Sequence, residues 1–230
     1  MSARSECILV LASASPRRRR LISWLGLPVE VMAVDTPEDL DSPLAEEPEL
    51  LASHLAAEKA RAAILERGSQ PSEVIVAFDT IVVLDGRVVG KPQDVPDALR
   101  MLQALSGRTH EVVTGVAIAS TSSLDPRSFA VTTRVRMKSL SDCQIEAWMA
   151  MGEFMGCAGA YNIEGQVAEV DTDECYQNVA GLPLCHLRIA LASMDLPCEL
   201  GPLASPIPPC DEALERRCRL GTRIEQAAGA

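Results

Sequence analysis

The sequence VIVAFDTIVVL occupies residues 74–84 and is apolar except at Asp79 and Thr80. Apolar residues on both faces are typical of a strand buried inside a sheet. Asp85 and Gly86 follow directly, and this pair favours a tight hairpin turn into a short strand at residues 87–89. We therefore expect a buried strand that carries a carboxylate in its middle.

The segments around this run alternate between strand-like and helix-like patterns. Short apolar strands are expected at residues 8–11 and 29–34, and paired strands at residues 110–119 and 129–137. Ser, Pro and Gly residues mark the ends of the expected helices. We expect helices at residues 15–26, 48–67 and 141–152, one that follows Pro92 and ends near residue 105, and a final one that follows Pro183. This order predicts an α/β fold, with a mixed twisted sheet and flanking helices.

Composition narrows the class of protein. The chain has 230 residues and a formal net charge of -11, which disfavours nonspecific binding to nucleic acid. No stretch approaches the roughly 20 apolar residues of a membrane span, and residues 8–11 are too short for a secretory signal. We expect a cytoplasmic protein with a single domain over residues 1–196. The composition then shifts to proline and cysteine, so residues 197–230 are interpreted as an extension of unknown role.

Eight cysteines are scattered along the chain. Without a credible signal peptide, reduced thiols are the default expectation. The alternative is a metal site that gathers Cys185, His186, Cys198, Cys210 and Cys218, although their spacing matches no structural zinc pattern.

Four consecutive arginines, Arg17 to Arg20, stand in the opening turn of the first expected helix. Cations oppose the helix macrodipole at that end, whereas the free N–H groups of the same turn attract anions. Together they predict a phosphate-binding site. The alternative is a solvated basic face.

Asp79 breaks a second local rule, because a carboxylate in a buried strand is costly without a cation, a metal or hydrogen bonds. It is a candidate metal ligand or general base, and the alternative is a structural ion pair. Lys59 continues a row of leucines at a spacing of four, and Lys91 lies between Gly90 and Pro92. The ammonium group of each lysine either binds a phosphate or is simply solvated.

These residues belong to a set of motifs that resembles the Maf family of nucleotide pyrophosphatases. The motifs occur in the family's order over roughly residues 8–194. They are LASASPRR at residues 11–18, Glu38, EKA at 58–60, DTIV at 79–82, GKPQD at 90–94, LSGRTH at 105–110, AGAY at 158–161 and VAGLPL at 179–184.

The resemblance implies two lobes around a deep cleft, similar to the inosine triphosphate pyrophosphatases. It implies a hydrolase that cleaves nucleoside triphosphates between the α and β phosphates with a divalent cation, Mg²⁺ or Mn²⁺, and a homodimer. Carried over by position, Asp79, rather than His110, is the proton acceptor, Glu38 and Asp79 hold the metal, and Lys91 assists catalysis. The implied substrate-binding residues are Ser13, Arg17, Arg18, Lys59, Thr80 and Glu164.

The residues that would select the base form a hybrid pattern. Arg17 and the pair Asp79-Thr80 resemble the branch of the family that acts on dTTP and UTP. Cys157 and Glu164 resemble the branch that acts on 7-methyl-GTP. Glu164 stands where the pyrimidine branch usually has a glutamine. A carboxylate in place of that amide suits a base that presents N–H donors or carries positive charge. The sequence therefore leaves the base open.

A regulatory nucleotide-binding protein, linked to inhibition of septum formation, is the alternative function. The presence of Glu38, Lys59, Asp79 and Lys91 argues against it, because binding alone does not require the whole set. A P-loop or Rossmann-type nucleotide site is excluded, since the chain contains neither GxxxxGK[ST] nor GxGxxG. His110 and His186 are interpreted as packing or capping residues.

Overall fold

The computed structural model describes residues 7–40, 42–68, 72–120, 123 and 125–228. Within them, seven strands form one sheet. The strands are β1 (Ile8–Ala12), β2 (Val29–Met32), β3 (Glu73–Leu84), β4 (Arg87–Val89), β5 (Thr109–Ser120), β6 (Arg127–Met137) and β7 (Ala168–Glu169). The α-helices are α1 (Pro16–Ile22), α2 (Pro48–Arg67), α3 (Val95–Leu105), α4 (Asp142–Ala150), α5 (Tyr176–Val179), α6 (Leu184–Ser193), α7 (Ile207–Leu214) and α8 (Arg219–Ala228).

The run that was expected to be a buried strand is β3, and it lies inside the sheet. β1 lies parallel between β2 and β3, while β5, β6 and β7 continue the sheet antiparallel on the other side of β3. The hairpin into β4 turns at Asp85 and Gly86, whose φ angles are 51° and 75°. The predicted α/β class and mixed sheet are therefore confirmed.

One edge of β3 changes partner part-way along the strand. β1 ends at Ala12, opposite Ala77, and β4 pairs with β3 only from Val82 onward. β5 occupies the other edge over the whole of this stretch. Among the described residues, no strand pairs with residues 78–81 on the β1 side. The cavity that forms the candidate site opens at this break.

Alternate residues of each strand pack on opposite faces of the sheet. Leu9 and Leu11 join a large core with α1, α3, α4 and α6, whereas Val10 and Ala12 join an alanine-rich core under α2. The same period of two turns neighbouring side chains of β3 to opposite faces. The carboxylate in the middle of β3 therefore faces α2, and the threonine that follows it faces the first core.

The elements that were not predicted include β7, α5 and α7. β7 has two residues and is defined by its pairing with β6 rather than by any local pattern. α5 has four residues, too few for helical periodicity to be visible in the sequence.

The expectation that all eight cysteines are reduced is wrong for two of them, because Cys7 and Cys198 form a disulfide. They are 191 residues apart in sequence. In the fold the segment after α6 lies beside the start of β1, where the backbone N–H of Cys7 donates to the carbonyl of Glu199 at 2.9 Å. Spacing along the chain gives no sign of this contact.

The segment after residue 196 contacts the rest of the chain at several points. The backbone N–H of Ala204 donates to the carbonyl of Leu25 at 2.9 Å, and Arg188 of α6 pairs with Glu225 of α8 at 3.3 Å. The boundary at residue 196 stays a prediction. Over the described residues, no helix is long and apolar enough to cross a membrane.

Four cysteines line one small pocket beside α7 and α8, namely Cys175, Cys185, Cys210 and Cys218. In the part of the chain that the structure describes, no three His, Cys, Asp or Glu side chains are arranged to hold a metal ion. The alternative of a cysteine metal site therefore gains no support from the fold.

Candidate active site

The cavity at the break beside β3 has a volume of about 380 Å³. It is lined by the end of β1, the middle of β3, the loop before α2, the segment between α4 and β7 and the loop before α6. Of the nine predicted site residues, eight line it: Ser13, Arg17, Arg18, Glu38, Lys59, Asp79, Thr80 and Lys91. Glu164 is the exception.

Two carboxylates and two ammonium groups form a connected set of ion pairs in this cavity. Nζ of Lys59, reaching from α2, contacts Oδ1 of Asp79 and lies 3.0 Å from Oε1 of Glu38. Nζ of Lys91 lies 2.6 Å from the same Glu38 oxygen. The ion pair that the sequence left as an alternative for Asp79 is therefore present, but it lines the cavity and is not sealed in the core.

The charge state of Glu38 follows from these neighbours. Burial raises the pKa of Glu38, but the hydrogen bond from Lys91 and the charge and hydrogen bond of Lys59 together outweigh it. The pKa of this carboxyl group consequently lies below its usual value. Glu38 is ionised at neutral pH.

Arg18 links the elements that surround the cavity. Its Nε donates to the backbone carbonyl of Gly181 at 2.8 Å, its Nη2 to Oγ1 of Thr80 at 2.9 Å, and its Nη1 to Oγ of Ser13 at 3.3 Å. Burial lowers the pKa of Arg18 to about 10, against the attraction of Asp79. The guanidinium group stays charged at neutral pH.

A buried polar network supports Thr80 from behind. Its Oγ1 lies 3.0 Å from Oγ1 of Thr114, which donates to the backbone carbonyl of Asn178 at 3.0 Å. The Asn178 amide donates to the carbonyls of Val112 and Val131, on β5 and β6. Sequence reasoning missed Thr114 and Asn178. Thr114 carried a usable signal, since it is a polar residue in an apolar strand, as is the buried carboxylate of β3.

The four arginines of α1 do not act as one group. Arg17 lines the cavity and donates from Nη2 to Sγ of Cys157 at 3.4 Å. Arg20 instead contacts the carboxylate of Glu164, and these two side chains are 55% and 38% exposed. Arg17 and Arg18 thus line the cavity, and Arg20 pairs with Glu164 outside it.

His110 is buried beside the cavity wall. Its Nε2 lies 2.6 Å from the hydroxyl of Tyr161, which lines the cavity. Burial lowers the pKa of His110 to about 4, so the imidazole is neutral at neutral pH. This agrees with its interpretation as a packing residue.

The two carboxylates fit a divalent cation that prefers oxygen ligands. Mg²⁺ and Mn²⁺ are typically held by one or two carboxylates together with phosphate oxygens of the substrate. Glu38 and Asp79 would supply the carboxylates, since Lys59 contacts an oxygen of each and so places them side by side. Within the described residues no third acidic, His or Cys ligand joins them. When bound, such a cation polarises phosphate oxygens and neutralises developing charge.

The fold is α/β, and the cavity is a candidate anion-binding site. Its cationic groups are Arg17, Arg18, Lys59 and Lys91. Its carboxylates, Glu38 and Asp79, could accept a proton from water or bind a metal ion. Such a set suits hydrolysis of a phosphate compound.

Comparisons with known proteins give the family. The family model described as Maf-like protein matches residues 8–194. A dTTP/UTP pyrophosphatase from Xanthomonas euvesicatoria pv. vesicatoria is 41% identical over 182 residues, covering 78% of this chain and 94% of that protein. One from Geotalea uraniireducens is 43% identical over 196 residues, covering 84% of this chain and 97% of that protein. The chain belongs to the Maf-like protein family.

Proposed function

We propose that this chain hydrolyses nucleoside triphosphates between the α and β phosphates, releasing the monophosphate and pyrophosphate. The observation that carries the proposal is the pairing of Asp79 with Lys59 in the same cavity as Arg17, Arg18 and Lys91. A polyphosphate needs this concentration of positive charge, and the attacking water needs a carboxylate. The names of the relatives support the same reaction class and favour it over a regulatory binding protein.

The proposed roles follow from position. Asp79 accepts a proton from water as the water oxygen attacks the α phosphorus, and the bond to the bridging oxygen breaks with pyrophosphate as the leaving group. Arg17, Arg18, Lys59 and Lys91 hold the phosphates. Glu38 and Asp79 would hold Mg²⁺ or Mn²⁺.

We infer a preference for the pyrimidine nucleotides dTTP and UTP. Arg17 and Thr80, which resemble the pyrimidine branch, line the cavity. Glu164, which resembles the 7-methyl-GTP branch, is paired with Arg20 outside it. The names of the relatives, dTTP/UTP pyrophosphatases, agree with this preference. Cytoplasmic location and a homodimer stay predictions.

A pyrophosphate-release assay with dTTP, UTP, CTP, GTP and 7-methyl-GTP tests the proposal, with Mg²⁺ or Mn²⁺ present. We expect pyrophosphate from UTP and dTTP, and a loss of kcat of about 100-fold or more in Asp79→Asn. Asp142→Asn, an exposed residue at the start of α4, is the matched control. Release of orthophosphate would contradict cleavage between the α and β phosphates, whereas intact nucleotide binding without turnover would favour the regulatory alternative.

The base preference has its own test. Glu164→Gln should leave the ratio of kcat/KM for UTP and 7-methyl-GTP within about threefold of the wild type, because the side chain lies outside the cavity. Thr80→Val should change that ratio. A large shift in Glu164→Gln alone would show that this carboxylate reads the base.

A further inference from the structure

The ammonium group of Lys59 lies between two carboxylates from separate parts of the chain. It contacts Asp79 in β3 and Glu38 in the loop before α2. The Lys59 side chain is 13% exposed and that of Asp79 is 3% exposed, so these groups have exchanged most of their water for each other. Lys91 contacts the same Glu38 oxygen as Lys59 does. Both carboxylates therefore already have cationic partners.

The charges of the cavity are unbalanced without a ligand. Four cationic side chains line it, Arg17, Arg18, Lys59 and Lys91, against three carboxylates, Asp35, Glu38 and Asp79. A divalent cation that arrives alone meets this excess of positive charge. It also needs the oxygens that Lys59 contacts, and two cations cannot occupy one contact position without strong repulsion in a partly buried site.

A nucleoside triphosphate removes both obstacles to metal binding, namely the excess of positive charge and the competition with Lys59 for the carboxylate oxygens. Its phosphates supply acceptors for Lys59 and Lys91 in place of the carboxylates, and they carry enough negative charge to balance the cavity together with the metal. Lys59 is suited to such an exchange, because an ammonium on a flexible stem can turn between neighbouring acceptors.

We propose that Lys59 is an exchangeable counter-ion of Glu38 and Asp79, so that a divalent cation enters this site only together with the nucleotide, whose phosphates take Lys59 away from the carboxylates. The substrate of the enzyme is then the metal–nucleotide complex, and the free metal binds weakly. The nucleotide half of this inference rests on the proposed function, whereas the competition between Lys59 and the metal does not.

Binding of Mn²⁺, followed by electron paramagnetic resonance of the free ion, tests the competition without any turnover. The full-length chain is titrated with Mn²⁺ alone and with Mn²⁺ in the presence of the α,β-methylene analogue of UTP. For the wild type we expect weak binding of Mn²⁺ alone, strengthened by about tenfold or more when the analogue is present. Equal Mn²⁺ affinity with and without bound analogue would overturn the proposal.

Variants of Lys59 give the decisive result. Lys59→Met should bind Mn²⁺ alone about tenfold or more tightly than the wild type, because its carboxylates have lost the competing cation. Adding Glu38→Gln to that variant should abolish the gain, which assigns it to this site. Lys138→Met changes an exposed lysine outside the cavity and should behave as the wild type. Unchanged or weaker Mn²⁺ binding in Lys59→Met would refute the proposal.

A second neutral variant covers a failure of Lys59→Met to fold, which circular dichroism would reveal. Lys59→Gln can still donate hydrogen bonds to the carboxylates but carries no charge, so the same gain in Mn²⁺ affinity is expected. The pyrophosphate assay decides the proposed function separately. A chain without pyrophosphatase activity can still show the gain, and an active one can lack it.

Discussion

Nε of Arg18 donates a hydrogen bond to the backbone carbonyl of Gly181 at 2.8 Å, across 163 residues of sequence. Gly181 has a φ of +95°, and a Cβ there would lie 3.2 Å from this nitrogen. Glycine therefore both adopts the backbone conformation and leaves room for the guanidinium group. Because the same side chain also reaches Thr80, Arg18 joins α1, β3 and the loop before α6 around the cavity.

Arg18→Leu should lower the free energy of unfolding by about 2–3 kcal/mol, because it removes charge-assisted hydrogen bonds and leaves buried acceptors unpaired. Urea unfolding at neutral pH measures this change. Arg19→Leu, at the exposed neighbouring position, should alter stability by less than about 0.5 kcal/mol. Equal stability of the two variants would show that the Arg18 contacts do not hold the fold together.

Gly115→Ala should destabilise the chain by about 3 kcal/mol or more, because α2 packs directly on β5 at this point. A Cβ at Gly115 would lie 1.9 Å from the backbone oxygen of Ala52, and backbone cannot turn aside as a side chain can. Thermal unfolding of the variant checks the prediction. Gly201→Ala is the control, since a Cβ there meets only a Leu27 methyl group at 3.4 Å. A wild-type melting temperature in Gly115→Ala would mean that α2 does not lie this close.

Stability should fall as the pH drops from 6.5 to about 4, partly because of His110. Burial lowers the pKa of His110 from 6.5 to about 4 in the folded chain, so the unfolded chain binds more protons between these values. The contribution of the neutral imidazole is complete above pH 6.5 and is lost as the pH falls through this window. The shift corresponds to about 3 kcal/mol.

Urea unfolding of His110→Gln across that pH range measures the effect. We expect a shallower dependence of the unfolding free energy on pH than in the wild type. Some slope should remain, because burial also lowers the pKa of His186. His54→Gln, at an exposed position, should keep the wild-type slope. An unchanged slope in His110→Gln would contradict the assignment of a buried neutral imidazole.

Loss of the Cys7–Cys198 disulfide should lower the free energy of unfolding of the oxidised chain by about 2–5 kcal/mol. The reason is that a cross-link between residues 191 apart restricts the unfolded chain strongly. Unfolding of Cys198→Ser, compared with the wild type under oxidising conditions, measures the loss. Cys143→Ser removes an exposed free thiol and should have little effect. Equal stability of wild type and Cys198→Ser would show that the pair is not joined in solution.

Local sequence was sufficient for most of the strands and helices. The apolar run at residues 74–84, the turn at Asp85 and Gly86 and the capping signals of the helices act over a few residues, and each is present in the fold. β7 and α5 were not predicted, because such short elements depend on neighbours that are distant in sequence. The disulfide between Cys7 and Cys198 was not predicted for the same reason.

The candidate site also contains residues that local sequence identified and contacts that only the fold decided. Asp79 and the arginines at the start of α1 could be identified individually, because a charge in an apolar strand or at the wrong end of a helix is unfavourable without a partner. Their partners could not be identified in this way. Lys59 meets Asp79 because α2 packs on β3, and Glu164 lies outside the cavity, paired with Arg20. Side-chain pairing depends on distances in space, which the packing of helices on the sheet decides and the order of residues along the chain does not.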